Sequence, residues 1–546
     1  MKNENKFRIG LSSDNFKNII LKDKPLSELI SWKDKKKLVN ESIVEIEQSI
    51  EKIFLECTKI SNDKKAGFFL SVGGNDWIRK DSWNSPILDR YLQKQLSFYL
   101  NITDSNSIKL FDKIIKKNFT IKKKIKYFLK IIFNFFNIFF SSFVISLINT
   151  LKKKNFFKIT TLSFIGKRIE VFKVKNNLNN RIVKFDTTFQ LNIKNLFKFF
   201  IRNQSTDYDY ASLIDWFYAI KFSTKYFFVW KKFLYNNGIK NNFYYKINNS
   251  FTGIFHSVFH YRAISKYIIA TKPKFILHGG PNHPSVRRIF FAGSELGVST
   301  ISVFGKVMIN SNMGYRFNKN KMKCDQMGIA DKFFVSTISA KNTLLQNGIN
   351  VSDIKVADKI IKKTNTFNNK ITQDKTILIC LTNREKVNDE IYKFIKCYFN
   401  DPTIRLLIRA HPLLNLSKQL LFSSSNKFID VSTLSFDEIF KTHCSRHTKS
   451  LVVSNYSSAS CKALEYGFMP IWLKNLGESP ILFSEIIENV GKSANTLVEF
   501  NNLVDKFFQN LNFENDVKNE KKKSDIYIDR IINERHINEY IRNLEN

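Results

Sequence analysis

From residue 271 onward the chain repeats one pattern. A short apolar run is followed by a turn, then by a segment with apolar residues at helical spacing. Lys274 to His278 reads as a strand, Ser285 to Leu296 as a helix stopped by Gly297, and Val298 to Phe304 as the next strand. Lys332 to Ser336, Ser339 to Asn347 and Lys355 to Ala357 continue the alternation. Strands this apolar must be covered on both faces, and intervening helices cover them. That construction is a doubly wound parallel sheet.

The pattern restarts after a polar stretch at 362 to 374. Thr376 to Leu381, Arg405 to Ile408, Phe428 to Val431, Leu451 to Val453 and Met469 to Leu473 read as strands. Glu385 to Phe399, Ser435 to Thr442, Ser457 to Glu465 and Thr496 to Asn510 read as helices. The expected class is α/β, with two Rossmann-like units in tandem. The expected division is an N-terminal α/β region at 1–118 and a basic-flanked helix at 119–157. A first Rossmann-like unit at 158–365, a second at 370–512 and a charged helical surface tail at 513–546 complete it. Within the first region, Phe7 to Ser12 and Lys65 to Val72 read as strands and Glu41 to Thr58 as an amphipathic helix.

Tyr127 to Leu151 is mostly apolar and lies between Lys122, Lys123, Lys124 and Lys126 on one side and Lys152, Lys153 and Lys154 on the other. Its length could span a bilayer. Lys130, Asn134, Asn137 and Ser141, however, fall on one helix face. A polar stripe with lysine flanks is the pattern of a helix lying in the interface of an anionic membrane. Packing on the protein's own core and a true span are the alternatives.

The formal net charge is +39. Such a charge suits an anionic partner, either nucleic acid or a membrane. It also follows from the heavy use of Lys, Asn, Ile and Phe, as in an AT-rich genome. The 53 phenylalanines are not clustered as base-stacking platforms, so nucleic acid is not the expected partner. Six cysteines are scattered without a CxxC pair, which reads as reduced thiols in a cytosolic protein. Cys444 with His443 and His447 is the nearest approach to a metal cluster, and no metal or other cofactor is expected. His256 and His260 share a helix face and read as a structural pair rather than a metal site.

Two short pieces carry the chemistry. Arg409-Ala410-His411-Pro412 and Ser454-Asn455-Tyr456-Ser457-Ser458 each end an apolar strand of the second series, where open α/β sheets place ligands. Ser457 and Ser458 open a helix, whose N-terminus offers free N–H groups to a phosphate. Ser457 as a plain N-cap is the competing reading. His411 can donate to a phosphate and Arg409 can pair with it bidentately. Glu465, two turns beyond Ser458, could accept ribose hydroxyls.

The order of these motifs, R-x-H-P then S-x-x-S-S-x6-E-x-G before a Met-Pro-Ile strand, resembles the GT-B glycosyltransferases of bacterial surface polysaccharides. It is most similar to the His-Pro/Ser-Ser enzymes: bacterial sialyltransferases, Kdo transferases of capsule synthesis and CDP-glycerol glycerophosphotransferases. The resemblance covers about 270 to 510. It implies two units facing a cleft and an inverting, metal-independent transfer from a nucleotide-activated donor, often CMP- or CDP-linked. The acceptor would be a glycan or a lipid-linked molecule. It further implies that His411, Pro412, Ser457 and Ser458 hold the donor phosphate, with Arg409 and Glu465 following by position. Such a transfer needs a base in the first unit. His278-Gly279 resembles the His-Gly turn of the glycerophosphotransferases, while His283, Glu295 and Asp76 are other candidates. The expected place of work is the cytoplasm, peripheral at the inner membrane face. A non-catalytic nucleotide-sugar or polysaccharide-binding protein is the rival expectation.

Overall fold

The computed structural model describes residues 20–21, 24–25, 65, 68–69, 121–152, 161–165, 182–186, 193, 195–196, 206–236, 243–279, 284–304, 328–346, 349–356, 375–382, 385–411, 427–444, 448–455, 457–474, 476 and 484–527. Two six-stranded sheets dominate it, and every strand pair in both is parallel. The α/β expectation holds.

The first sheet contains β1 (Thr161–Ile165), β2 (Ile182–Asp186), β3 (Phe275–Gly279), β4 (Ser299–Phe304), β5 (Lys332–Val335) and β6 (Ile354–Val356), in the order β2-β1-β3-β4-β5-β6. Its helices are α1 (Ile121–Leu151), α2 (Leu213–Asn236), α3 (Phe243–Thr271), α4 (Pro284–Glu295) and α5 (Ile338–Gln346). The second sheet contains β7 (Lys375–Cys380), β8 (Ile404–Arg409), β9 (Ile429–Asp430), β10 (Lys449–Ser454), β11 (Phe468–Leu473) and β12 (Lys492–Ala494). Its order is β9-β8-β7-β10-β11-β12. The helices with it are α6 (Glu385–Ile395), α7 (Phe436–His443), α8 (Ser458–Glu465), α9 (Ser484–Asn489), α10 (Leu497–Gln509) and α11 (Phe513–Ser524).

The central strands β7 and β10 of the second sheet are buried along nearly their whole length, and β11 without a break. Side chains alternate between two cores. Ile377, Ile379, Leu406, Ile408, Leu451 and Val453 meet α6 and α10 on one face. Leu378, Cys380, Leu407 and Val452 meet α7 on the other. Burial on both faces is why these strands read as continuous apolar runs.

Three expectations change. Lys65, Phe68 and Phe69 are helical rather than extended. Phe68 stacks on Phe291 of α4 at 3.9 Å, and Phe69 meets Phe222 and Tyr261 edge-on. This aromatic packing, not local β propensity, decides the conformation. Phe7 to Ser12 and Glu41 to Thr58 lie outside the described residues. The tail is the second case. α11 is charged, yet Val517, Glu520 and Ser524 are buried and Tyr527 enters the second core. Glu520 Oε2 accepts from the Gly491 N–H (2.7 Å), and the Ser339 N–H of α5 donates to the Ile526 carbonyl (2.7 Å). The segment after α11 therefore ties the second unit to the first.

The third change concerns α1. Of the polar stripe's described side chains, Asn137 is half-buried and Ser141 is buried. Ser141 is fully buried, as are Ser142 and Ser146. Trp216 Nε1 of α2 donates to the Phe139 carbonyl (3.3 Å) and to Ser142 Oγ (3.2 Å). Asn149 Nδ2 donates to the Tyr208 and Ala211 carbonyls (2.8 and 3.1 Å). Small polar residues let α2 approach closely, Phe139 and Phe143 pack on Trp216, and Phe133, Phe136 and Phe140 turn outward. Among the described residues no helix is long and apolar enough to cross a membrane.

Candidate functional site

In chain order the second sheet reads 3-2-1-4-5-6, the order of dinucleotide-binding folds. The winding reverses between β7 and β10, and ligands of such sheets bind beyond the carboxyl ends at that switch point. The register fixes who stands there. Ile379 pairs with Ile408 on one side and Val453 on the other. Arg409, Cys380 and Ser454 are therefore level, and the chain beyond each forms the crest. β8 and β10 are two strand spacings apart, about 10 Å. That separation sets the His411 turn against the start of α8 across β7.

The crest is held by side chains that staple its turns. Asn388 of α6 is fully buried; its Oδ1 accepts from the Thr382 N–H (2.9 Å) and its Nδ2 donates to the Thr382 carbonyl (3.0 Å). Asn455 Nδ2 donates to the Leu476 carbonyl (3.0 Å). Ser432 Oγ accepts from the Ala410 N–H (2.8 Å) and donates to Asp430 Oδ1 (2.5 Å). Arg409 belongs to the same system. Its Nη1 donates to the Leu434 carbonyl (2.5 Å), and its guanidinium lies over the Phe436 ring at 4.7 Å. Arg409 thus fastens the turn before α7. A guanidinium carries five N–H donors, so this bond does not exhaust it.

Ser457 is the N-cap of α8: its Oγ accepts from the Ala459 N–H at 3.2 Å. The cap satisfies one donor of the helix start and leaves the positive end of its dipole at the crest. Ser458 is the first helical residue, and its side chain lies outside the described set, as does Pro412. His411 is half-buried beside Arg409. Glu465 is not brought to this place. It closes α8 at the opposite end, about 10 Å down the axis, where its carbonyl accepts from Lys521 Nζ (2.8 Å). Gly467, with φ +92°, then turns the chain into β11.

Burial pushes the Cys380 thiol up to about 12 and the Cys444 thiol up to about 11, so both stay protonated and poorly nucleophilic. Among the described residues no group of three His, Cys, Asp or Glu side chains is placed to hold a metal ion. His447 is outside that set.

In the first sheet, His278 pairs with Phe164 of β1 and Ser302 of β4, at the β1/β3 switch point. Its ring is 4% exposed and meets Phe290 of α4 edge-on at 6.3 Å. It therefore supports the β3–α4 contact and is not open to an acceptor. Glu295 accepts from Tyr261 OH (2.6 Å) and from Lys65 Nζ (2.8 Å), so it is structural. His283 and Asp76 lie outside the described residues.

Sequence reasoning missed a buried polar cluster here. His260 Nε2 donates to Asp207 Oδ2 (2.8 Å), and Tyr208 OH stands 2.8 Å from His256 Nε2. Arg288 Nη1 donates to Ser257 Oγ (2.8 Å). Burial holds the Tyr208 phenol well above its ordinary 10.0, so it stays protonated. The two histidines have separate partners, Tyr208 for His256 and Asp207 for His260. The signal was the polar break Ser205 to Tyr210, which supplies those partners.

No family model matches the chain, and no curated protein matches it. Solved structures share it at low identity. S. aureus MnaA with UDP is 12% identical over 71% of this chain and 97% of its own, with a TM-score of 0.40. The calicheamicin glycosyltransferase CalG4 is 10% identical over 71% and 99%, with a TM-score of 0.42. Acinetobacter baumannii MurG is 8% identical over 70% and 99%, with a TM-score of 0.41. Scores this low carry no functional inference, and the site stands on its own geometry.

Proposed function

We propose that the chain is a transferase that moves a sugar from a nucleotide-activated donor, CMP- or CDP-linked, to a surface polysaccharide or lipid-linked acceptor. The observation that carries this is the pairing, across the β7/β10 switch point, of the His411 turn with the capped start of α8. A nucleotide phosphate bridges the distance of about 10 Å between them. The reaction is an inverting, metal-independent displacement. The acceptor hydroxyl gives its proton to a base of the first unit, for which His283 is the candidate that the burial of His278 leaves, as its oxygen bonds to the anomeric carbon; the bond to the donor phosphate breaks and its electron pair leaves on the phosphate oxygen. The developing charge meets the α8 N-terminus, the His411 imidazole and the remaining Arg409 donors. Glu465 stands at the far end of α8 and His278 is buried, so the reading does not rest on either.

The rival reading, a nucleotide-sugar or polysaccharide-binding protein without turnover, shares the same cradle. Thermal unfolding with CMP, CDP, UDP and GDP tests the cradle first. A ligand at 100 times its Kd stabilises a protein by about 2.7 kcal/mol. At least one cytidine nucleotide should raise the melting temperature of the wild type by a few degrees and that of His411→Ala by much less. If none of the four does so, the cradle is wrong. Binding without release of nucleotide from any activated sugar would select the rival.

A further inference from the structure

α1 is inside out for a water-facing helix. Its serines are buried, while Leu129, Phe133 (64%), Phe136 (61%), Phe140 (50%), Leu147 and Leu151 (77%) are exposed. At about 100° per residue these six positions fall within an arc of about 60°. They form a single stripe about 33 Å long at 1.5 Å per residue. α2 lies alongside. Trp216 packs on Phe139 and Phe143 of α1 and edge-on against Phe217, which brings the exposed face of α2 next to the stripe. There Ile214, Phe217 and Phe228 are exposed together with Lys221 and Lys225. Lys152 is exposed just beyond the end of α1.

We infer that this two-helix face docks on an anionic lipid bilayer, with its phenyl rings in the headgroup boundary and its lysines on acidic headgroups. Exposed apolar area of this extent marks an interaction surface. The stripe is long and narrow, within an arc of about 60°, which suits a planar partner rather than a helix in a groove. Interspersed lysines select a negative surface, and a bilayer supplies charge and apolar depth together. The aromatics are fixed before docking, because Ser142 and Asn149 lock α1 to α2 and to the 206–211 turn. The inference is independent of the nucleotide cradle, which lies in the other unit.

The test is flotation of the full chain with phosphatidylcholine vesicles, with and without one-third phosphatidylglycerol. Wild type should float with the anionic vesicles and not the neutral ones. The triple substitution Phe133→Ser, Phe140→Ser, Leu151→Ser should reduce the floated fraction at least tenfold, with an unchanged far-UV dichroism spectrum. Should that variant fail to fold, Lys221→Glu with Lys225→Glu gives the same readout, with binding lost and no apolar contact altered. Wild type that stays at the bottom, or variants that float equally, overturn the inference. A concentration-dependent dimer that the triple substitution dissociates, without flotation, assigns the face to a second copy instead and also overturns it.

Discussion

Arg405 and Arg409 lie two turns of the pleat apart on the same face of β8 and bracket α7. Arg409 holds the turn before it and stacks on Phe436, while Arg405 Nη1 donates to the His443 carbonyl at its C-terminus (3.3 Å). The second contact places the Arg405 charge beside His443. Burial and then the Arg405 charge hold its imidazole below the ordinary 6.5. A helix C-terminus normally favours a cation, but Arg405 already fills that role. The sign follows from proton counting. Below about 6.5 the unfolded chain binds a proton that the folded chain refuses, so stability falls as pH drops through that value and levels off below the folded pKa. Replacing His443 by Asn should therefore flatten the melting temperature between about pH 7 and pH 5, measured by calorimetry. An equally steep curve in the variant would remove His443 as the cause. At this scale the sequence was half legible. It showed which residue types end β8 and β10 and that Glu465 lies two turns along its helix, and could not show that Arg409 is engaged with Leu434.

The same division holds for elements. Most strands from β3 to β11 were legible because burial on both faces writes an unbroken apolar run; the short β6 and β9 carry exposed residues, and the observed ends differ from the expected ones by a residue or two. β1 and β2 were missed, since Ser163 and Lys184 interrupt their apolar pattern, and β12 is only three residues long. The polar stripe of α1 was visible, but not its direction, which depends on Trp216 in another helix. Helix caps offer a way to separate structure from binding. Ser435 forms a capping box with Glu438, and Ser457 caps α8. Substituting either by Ala should cost about 1 kcal/mol, and by Gly only a few tenths. Denaturant titration reads that loss. Only Ser457→Ala should also weaken nucleotide binding, and a comparable loss in Ser435→Ala would mean that general destabilisation, not the cradle, is being measured.

For the whole molecule, the two sheets differ in winding: 2-1-3-4-5-6 in the first and 3-2-1-4-5-6 in the second. Each has one switch point, at β1/β3 and at β7/β10. The chain after α11 links the units through Tyr527, buried in the second core, and the Ser339–Ile526 bond to α5. Nothing in a lysine- and glutamate-rich tail announces that contact, because three buried residues per twelve leave no amphipathic signature. The +39 charge is likewise spread along the chain, and where Lys221 and Lys225 share a face with exposed aromatics it helps define a surface. The central claim is that the second switch point holds a nucleotide phosphate. Isothermal titration of CDP into wild type and His411→Ala tests it most directly. Saturable one-to-one binding that weakens at least tenfold in the variant, with the melting temperature of the free protein unchanged, is the predicted result. Equal affinity in the two proteins, or no heat of binding from CMP, CDP, UDP or GDP to the wild type, would contradict it.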